Sequence, residues 1–550
     1  MANSDPNFGC LFTSVQREYP TPVAAQVKGK LPGWLRGSLV RIGPGLFEVG
    51  ETEYKHWFDG LALMHRFAFR DGKVSYQNRF LRSNAYKKAM KYNKIILSEF
   101  GTVGIPDPCK NVLERFATHF LPLNVTDNNL INVYQLGDEV YTATETHTPR
   151  KINLEDLSTE DQTIDLLKMF GMMTASAHAQ VDRDGCSYNM GTSYLTGCYY
   201  NIIKFFPKSY SESSSLSSSS SPSSTSLENN STSTSESSTD RSSPMSAKLL
   251  CSIRARNPLK PSYFHSFGMT DNYIVFSEQT LNINVAKLAT SQMLGKPVSS
   301  CFEFDHNGTT LFHLVDKQTG EQMTTRYESG PLFGMHVINS YEEDDHVVFD
   351  ICSYDDDELL KKFYLDYLRH GDQDGKRHFP ITEVRRFVLP LRINKNTPVG
   401  TNLVTLNYTS ASAQLRPDGV VELTYEVASD IGIDMPCING RVNGRPYTYA
   451  YGTSGKCKGD FMNTIVKTNM RTKSCKTWHR PNHYPSEPIF VGAPDAVDED
   501  EGVLVSTVIS SETQRAFLLV LDAKTLEEIA RADIPETMSC PITFHGGFFH

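Results

Sequence analysis

The chain has 550 residues, of which 39% are hydrophobic and 21% charged, and 54 basic against 63 acidic side chains give a formal charge of −9. This composition is typical of a folded soluble protein, and the acidic balance argues against a nucleic-acid-binding surface. No segment approaches the roughly 18 consecutive apolar residues of a membrane-spanning helix, and the N-terminal sequence lacks the basic and apolar regions of a signal peptide. Eleven scattered cysteines without a CxxC pair indicate reduced thiols and a cytoplasmic location.

Short predicted strands bounded by turn residues dominate the chain. Near its start, Gly43-Pro44-Gly45 predicts a plain turn, and apolar spacing predicts helices over residues 85–97 and 357–370 that cap the sheets. Runs of β-branched and aromatic residues predict strands at 273–277, 347–352, 502–506 and 517–521. Similar polar turns recur at 153–158, 316–320, 469–473 and 522–526, at rough multiples of fifty residues. Hairpins repeated in this way predict a β-propeller.

A Ser-rich insertion at residues 209–247 interrupts this pattern. Within 211–246, 20 of the 36 residues are Ser. So few apolar residues cannot offset the entropy of ordering, and we therefore predict a disordered loop. Strand-like sequences flank it at 199–206 and 249–253, which favours an insertion within a single domain spanning residues 1–550 over a linker between two domains.

Local signatures of catalysis are scarce in this sequence. It has no phosphate-binding GxxxxGK[ST] loop, no GxSxG nucleophile elbow and no HExxH zinc motif. His479 and His483 have the spacing of two ligands on a helix, but Pro481 between them disfavours a helix there, so we predict a structural role for both. Acidic runs at 342–345, 355–358 and 498–501 lack the spacing of a calcium loop and predict solvated turns.

Four of the 16 histidines stand among small or apolar residues at apparent strand ends. Several neutral imidazoles that meet at one point suit Fe, Cu or Zn. The long intervals between the four carry no local ligand pattern, so from spacing alone a structural role remains open for each. A propeller favours a shared site, because its inner strands bring distant sequence to one axis. These histidines are His178, His265, His336 and His545.

A series of motifs runs along nearly the whole chain outside 209–247: Arg41-Ile-Gly-Pro-Gly45, His56-Trp-Phe-Asp-Gly60, Glu99-Phe-Gly-Thr102, Pro106-Asp-Pro-Cys-Lys-Asn111, Thr144-Glu-Thr146, Pro261-Ser-Tyr-Phe-His-Ser-Phe-Gly268, Pro485-Ser-Glu-Pro-Ile-Phe490 and Phe544-His-Gly546. In this order they resemble the motifs of the carotenoid cleavage oxygenases, the family of the β-carotene oxygenases and the retinal pigment epithelium isomerohydrolase. Segments 74–80, 311–316 and 348–354 are most similar to the insect carotenoid isomerooxygenase branch.

The resemblance implies an all-β, seven-bladed β-propeller with a helical and loop cap over an axial iron site. It makes the four histidines above ligands of Fe(II), and it makes Glu145, Glu487 and Asp434 the carboxylates that orient them. The family has Glu where this chain has Asp434, so either the backbone comes closer to His336 or a water bridges the two. The implied substrate tunnel is lined by Phe100, Thr144, Tyr354, Leu360 and Phe544.

The implied function is that of a dioxygenase. It would cleave a carotenoid such as β-carotene or zeaxanthin with O₂ at the central 15,15′ double bond into retinal-type aldehydes, with trans-to-cis isomerisation of one half. Iron carries this chemistry, which explains the lack of acid–base motifs. The alternatives are eccentric 9′,10′ cleavage, a retinyl-ester isomerohydrolase and a non-catalytic carotenoid-binding propeller.

A carotenoid substrate also predicts contact with a membrane surface. Residues 111–123 are amphipathic, with apolar side chains on one face of a short helix. Such a helix lies in the membrane interface or packs on the propeller, and we favour the interface. We therefore expect a cytoplasmic protein peripherally associated with membranes. The predicted membrane-contact residues are Leu113, Phe116, Phe120, Leu121 and Leu123.

Overall fold

The computed structural model describes residues 5–105, 126–194, 197–207, 246–291, 293–535 and 538–550. Most regular structure in these ranges is β-strand, in agreement with the all-β prediction. The four predicted strand segments lie in strands that begin at Tyr273, His346, Gly502 and Arg515. All four polar turns join consecutive strands that pair antiparallel, and the turn at 316–320 is also closed by the bridge between Val315 and Gln322.

Seven sheets of four or more strands follow one another along the described chain. The first contains β1 (Tyr19–Ala24), β3 (Gly37–Leu46), β6 (Leu61–Arg70), β7 (Lys73–Phe80) and β37 (Gly546–Phe549). The second contains β8 (Asn132–Leu136), β9 (Glu139–Ala143), β10 (Arg150–Ile152) and β11 (Thr159–Thr163). The third contains β12 (Gln180–Val181), β13 (Ser187–Ser193), β14 (Tyr199–Phe205) and β15 (Ala247–Arg254).

The remaining four sheets continue this succession. The fourth contains β16 (Gly268–Met269), β17 (Tyr273–Glu278), β20 (Thr310–Asp316), β21 (Tyr327–Ser329), β25 (Ser412–Leu415) and β26 (Val421–Thr424). The fifth contains β22 (Phe333–Glu343), β23 (His346–Tyr354), β24 (Glu383–Pro390) and β27 (Glu426–Val427). The sixth contains β28 (Asp434–Cys437), β29 (Tyr449–Ser454), β30 (Thr464–Asn469) and β31 (Cys475–His479). The seventh contains β2 (Gln26–Gly29), β32 (His483–Pro485), β33 (Ile489–Gly492), β34 (Gly502–Ser510), β35 (Arg515–Asp522) and β36 (Glu528–Asp533).

Strands from both ends of the chain connect the last sheet to the first. The N-terminal strand β2 pairs antiparallel with β36 of the seventh sheet, and the C-terminal strand β37 pairs antiparallel with β3 of the first. The N-terminal strand thus belongs to the last sheet and the C-terminal strand to the first. Each covers a strand edge that would otherwise be open.

Apolar side chains fill the space between consecutive sheets. Strand β23 shows how: Val347, Phe349 and Ile351 pack with the fourth sheet, whereas Val348 and Cys352 pack with the sixth. Because successive side chains of a strand point to opposite faces, a strand between two sheets needs apolar residues at nearly every position. This explains the continuous apolar runs in the sequence.

The helices in the described part of the chain are short and lie between strands. They are α1 (Asn84–Tyr92), α2 (Leu166–Phe170), α3 (Val285–Ser291), α4 (Glu358–Lys362) and α5 (Leu365–His370), with 3₁₀ turns at Phe8–Phe12, Trp57–Asp59, Val298–Cys301 and Gly440–Val442. Within the described ranges, no helix is long and apolar enough to cross a membrane. Two-stranded ribbons pair β4 (Glu48–Val49) with β5 (Thr52–Glu53) and β18 (Leu281–Ile283) with β19 (Phe302–Phe304).

Three local predictions were wrong in detail. Helix α1 ends before residue 97, because Asn93 takes a left-handed conformation with φ of 50° and caps it. The helix predicted over 357–370 is broken into α4 and α5, and Tyr364 at the break pairs with His56. Gly43-Pro44-Gly45 lies inside β3 and is not a plain turn. Strand β37 pairs with β3 only as far as Arg41, so the missing N–H of Pro44 breaks no ladder on the β37 side of the strand.

The Ser-rich insertion connects two paired strands. Strands β14 and β15 pair antiparallel from Tyr199 opposite Arg254 to Phe205 opposite Ala247. Ala247 is therefore the first residue of a strand and not the last of the insertion. Residues 208–245 lie outside the described ranges, so the disorder assigned to them stays a prediction.

Candidate metal centre

The structure brings the four selected histidines together. Their ligand atoms all lie within 4.8 Å of one another, and no other such group of three or more His, Cys, Asp or Glu occurs in the described ranges. Three of the histidines lie just before a strand: His178 before β12, His265 before β16 and His545 before β37. His336 lies within β22. Each of these strands is at one edge of its sheet. Four sheet edges meeting at one place explain why the intervals along the chain carry no pattern.

Two of the predicted carboxylates contact their histidines as expected. His265 Nδ1 donates to Glu145 Oε1 at 2.5 Å, and His545 Nδ1 donates to Glu487 Oε1 at 2.8 Å. A proton held on Nδ1 leaves the Nε2 lone pair free for a metal. His178 has no carboxylate partner among the described residues, and its backbone N–H donates to Ser176 Oγ at 3.0 Å.

Asp434 reaches His336 without a bridging water. The His336 Nδ1 to Asp434 Oδ1 distance is 2.5 Å. Asp434 opens strand β28, and Met435 after it takes a left-handed φ of 52°, which non-glycine residues rarely adopt. The Met435 N–H donates to the same carboxylate oxygen at 2.8 Å. Of the two alternatives, a closer backbone or a bridging water, the structure has the direct contact between Asp434 and His336.

Each of the three carboxylates also has a second donor. These are Tyr263 Oη to Glu145 at 2.8 Å, Tyr354 Oη to Asp434 Oδ2 at 2.5 Å, and Arg41 Nη1 to Glu487 Oε2 at 2.6 Å. Sequence reasoning gave Arg41 and Tyr263 no role, although both stand in the family motifs. A basic residue in an apolar strand is a usable signal, because buried arginines are almost always paired.

Burial and contacts set the charge states of this centre. Burial lowers the pKa of His545 to about 4 and that of His178 well below its ordinary value, so both imidazoles are neutral near pH 7. Burial opposes ionisation of Asp434 and Glu487, yet contacts with His336 and His545 and further hydrogen bonds outweigh it and lower both pKa values. Neutral imidazoles backed by carboxylates are what a bound cation requires.

The four imidazoles fit a metal ion. His336 Nε2 and His545 Nε2 lie 3.1 Å apart, and both rings already donate through Nδ1 to a carboxylate. In the tautomer that donates through Nδ1, each Nε2 presents a lone pair to the other, and a cation held by both nitrogens would relieve their repulsion. Two nitrogens on opposite sides of an ion at about 2.1 Å would be about 4.2 Å apart, close to the span of the cluster. The three carboxylates carry three negative formal charges, and the guanidinium of Arg41 carries one positive charge. The difference of two negative charges balances a divalent cation.

A cavity of about 990 Å³ lies against this centre. His265, His336 and His545 form part of its wall. The structure also places all five predicted tunnel residues on that wall: Phe100, Thr144, Tyr354, Leu360 and Phe544. Further aromatic side chains that the sequence did not single out line it as well: Trp57, Phe58, Tyr263, Phe302, Phe363 and Phe461.

The predicted membrane-contact residues cannot be placed against this cavity. Leu113, Phe116, Phe120, Leu121 and Leu123 all lie in 106–125, outside the described ranges. Their contact with a membrane stays a prediction.

Known proteins resemble this chain over nearly its whole length. A carotenoid-cleaving dioxygenase of Mustela putorius furo, described as mitochondrial, is 39% identical over 560 residues, which cover 99% of this chain and 96% of that protein. A β,β-carotene 15,15′-dioxygenase of Mus musculus is 37% identical over 543 residues, which cover 98% of this chain and 91% of that protein.

Solved structures resemble it in fold. A variant of the apocarotenoid oxygenase of Synechocystis superposes with a TM-score of 0.73 at 19% identity, covering 100% of this chain and 99% of that one. A cobalt-substituted form of the same oxygenase gives a TM-score of 0.73 at 20% identity, covering 99% and 98%. The chain therefore has the β-propeller fold of these oxygenases.

The family described as retinal pigment epithelial membrane protein matches residues 12–550. This match confirms the resemblance that the motifs indicated. The chain belongs to the retinal pigment epithelial membrane protein family, which includes the carotenoid oxygenases.

Proposed function

We propose that this protein is a non-haem Fe(II) dioxygenase that cleaves a carotenoid with O₂ at its central 15,15′ double bond into retinal-type aldehydes. One observation carries the proposal: four imidazoles converge beside a mostly apolar cavity of about 990 Å³, and three of them form part of its wall. Relatives named as a carotenoid-cleaving dioxygenase and a β,β-carotene 15,15′-dioxygenase support this substrate class.

His178, His265, His336 and His545 would hold the iron. Bound iron supplies the redox chemistry that a reaction with O₂ needs and that no side chain can replace. Glu145, Asp434 and Glu487 hold three of the imidazoles in the tautomer that presents Nε2. Because neutral imidazoles do not offset the positive charge of the iron, this ligand set favours the divalent over the trivalent state.

The cavity wall positions the substrate. Trp57 and Phe58 pack against Phe544, one residue before His545, with ring centroids 4.5 and 5.4 Å apart. Such rings hold a flat polyene by contact without polar groups that would react with it. The chain's contribution to the rate is orientation of one double bond beside the metal centre and exclusion of water.

We further propose that the seven sheets are seven blades around the metal centre and that the whole chain is one domain. The exchange of β2 and β37 between the first and seventh sheets supports a closed ring. Apolar clusters between successive sheets support a single cooperative unit.

Coupled isomerisation and membrane contact are separate parts of the proposal. Motifs similar to the insect isomerooxygenase branch support trans-to-cis isomerisation of one product half. An apolar cavity and the amphipathic sequence 111–123 support peripheral contact of a cytoplasmic protein with the membranes that store carotenoids.

Product analysis under ¹⁸O₂, combined with iron determination, tests the proposal. We expect about one iron per chain, two C20 aldehydes from β-carotene and ¹⁸O in both. Apo-10′-carotenals would show eccentric cleavage, and O₂-independent release of retinol from retinyl ester would show an isomerohydrolase. Tight carotenoid binding without turnover would support the alternative of a non-catalytic carotenoid-binding propeller. An 11-cis product tests the isomerisation separately.

A further inference from the structure

The cavity wall contains one buried carboxyl group that the metal centre does not use. Glu99 is 4% exposed and lies in the loop after helix α1, next to Phe100. Thr126 Oγ1 donates to Glu99 Oε1 at 2.7 Å, and Thr126 in turn accepts the Asn128 N–H at 3.0 Å. Glu99 Oε2 makes no hydrogen bond with any residue in the described part of the chain.

Burial of this carboxyl group in the cavity wall favours its protonated form. Burial raises the pKa of Glu99 well above its ordinary value, and the nearby carboxyls of Asp59 and Asp127 raise it further, against the opposing hydrogen bond from Thr126. Since Oε1 accepts from Thr126, the proton belongs on Oε2. Glu99 therefore presents an unused O–H donor at the wall of an apolar cavity, which is costly unless an acceptor arrives.

Glu99 is separated from the metal centre by aromatic side chains. Phe100 packs on Phe302 with ring centroids 5.3 Å apart, and Phe302 packs on Tyr263 at 5.2 Å. Tyr263 Oη lies 3.3 Å from His265 Nδ1. Glu99 therefore lines the same cavity as three of the histidines but contacts none of them, and three aromatic side chains connect its segment to the metal centre.

We propose that Glu99 recognises an oxygen on the terminal ring of the carotenoid, a hydroxyl or keto group, through a hydrogen bond donated by its carboxylic acid. This inference rests on the proposed function, because a carotenoid cleaved at its centre must keep its rings far from the metal. It makes the protein selective for oxygenated carotenoids over plain hydrocarbons. A hydrocarbon ring leaves the buried O–H unpaired, whereas a ring oxygen satisfies it.

Zeaxanthin and β-carotene provide a matched pair of probes, since they share one polyene and differ only in their ring hydroxyls. Their affinities for the iron-loaded protein are measured without O₂, so that binding is observed without turnover. We expect wild-type protein to bind zeaxanthin at least about fivefold more tightly than β-carotene. Equal affinities would overturn the proposal, and this comparison requires no variant.

Variants then assign the selectivity to Glu99. Glu99→Leu removes the donor at similar volume, and we expect it to abolish the preference for zeaxanthin. Glu99→Gln keeps an N–H donor and should retain most of the preference. Thermal unfolding of each variant checks that it is folded. A Glu99→Leu protein that is folded and still selects zeaxanthin as wild type does would refute the assignment.

Admission of O₂ to the same samples separates this inference from the proposed function. Bound carotenoid that is not cleaved counts against the dioxygenase proposal alone. Cleavage with an unchanged affinity ratio in Glu99→Leu counts against Glu99 alone.

Discussion

Tyr354 donates a hydrogen bond of 2.5 Å to Oδ2 of Asp434, while Oδ1 of the same carboxylate accepts from His336. One phenol thus holds the aspartate that orients a candidate iron ligand, and the same phenol lines the cavity. The sequence comparison had suggested Tyr354 only as a tunnel residue. Its position makes it the first target for mutation.

Tyr354→Phe should weaken iron binding by about 10- to 100-fold, the effect usual for loss of a group that supports a metal ligand. The reason is that Asp434 would keep one buried oxygen without a donor and would orient His336 less firmly. Competition of the folded protein with a chelator measures the iron affinity. Tyr341→Phe is the matched control, since Tyr341 is buried and contacts Tyr408 instead. Equal iron affinities of the two variants would show that Tyr354 only fills space.

Asp434→Asn should lower iron affinity by a similar factor, because an amide offers His336 no negative charge. Asp434→Glu restores the family residue but adds a methylene where the carboxylate is already in direct contact. We expect that larger side chain to lower thermal stability, at a cost of about 1–3 kcal/mol for overpacking. A glutamate variant with unchanged stability and iron affinity would mean that the site has room for either side chain.

His545→Ala should abolish both iron content and carotenoid cleavage, because only three imidazoles would remain and Glu487 would lose one of its two partners. Metal analysis of the purified protein gives the first readout independently of activity. His483→Ala is a suitable control, since His483 contacts the Pro481 carbonyl and lies outside the cluster. An iron-replete, fully active His545→Ala protein would contradict the ligand assignment, and the same design applies to His178, His265 and His336.

Arg41→Met should destabilise the fold by about 3–5 kcal/mol, because it leaves the buried carboxylate of Glu487 without its cation. Arg41 is fully buried and also donates to Thr543 and to the Phe544 carbonyl, so it ties strand β3 to the segment that carries His545. Denaturant unfolding measures the loss. Arg36→Met is the control, since Arg36 pairs with Asp71 on the surface, where ion pairs contribute little.

Deletion of the Ser-rich segment should leave the site intact. Replacing residues 209–245 by a short Gly-Ser turn joins two strands that are already paired, Phe205 being opposite Ala247. Loop-closure entropy then favours the shorter chain by about 1–2 kcal/mol. Iron content and unfolding free energy test this prediction. Loss of iron or of solubility would show that the insertion does more than connect two strands.

Much of the architecture was readable from the residues. The runs at 347–352 and 517–521 are apolar at nearly every position, and both lie in strands buried on two faces. The turn predicted at Pro44 was wrong, because Pro44 pairs with Ala62 of β6 within strand β3, and the end of β37 at Arg41 leaves no ladder to break on the other side. The break between α4 and α5 was invisible for a similar reason, since Tyr364 pairs with a residue more than 300 positions away.

The sequence by itself determined the family and the all-β class, because their motifs and strand patterns are recognisable from neighbouring residues, and the family resemblance then indicated the four histidines and three carboxylates. Only the tertiary structure decided what supports them. Tyr263, Tyr354 and Arg41 reach their carboxylates across different sheets, and the direct contact of Asp434 depends on the conformation of the backbone at Met435. The environment of Glu99 likewise appeared only in the fold, because burial, which raises its pKa, is a property of everything packed around a residue and not of the residue itself.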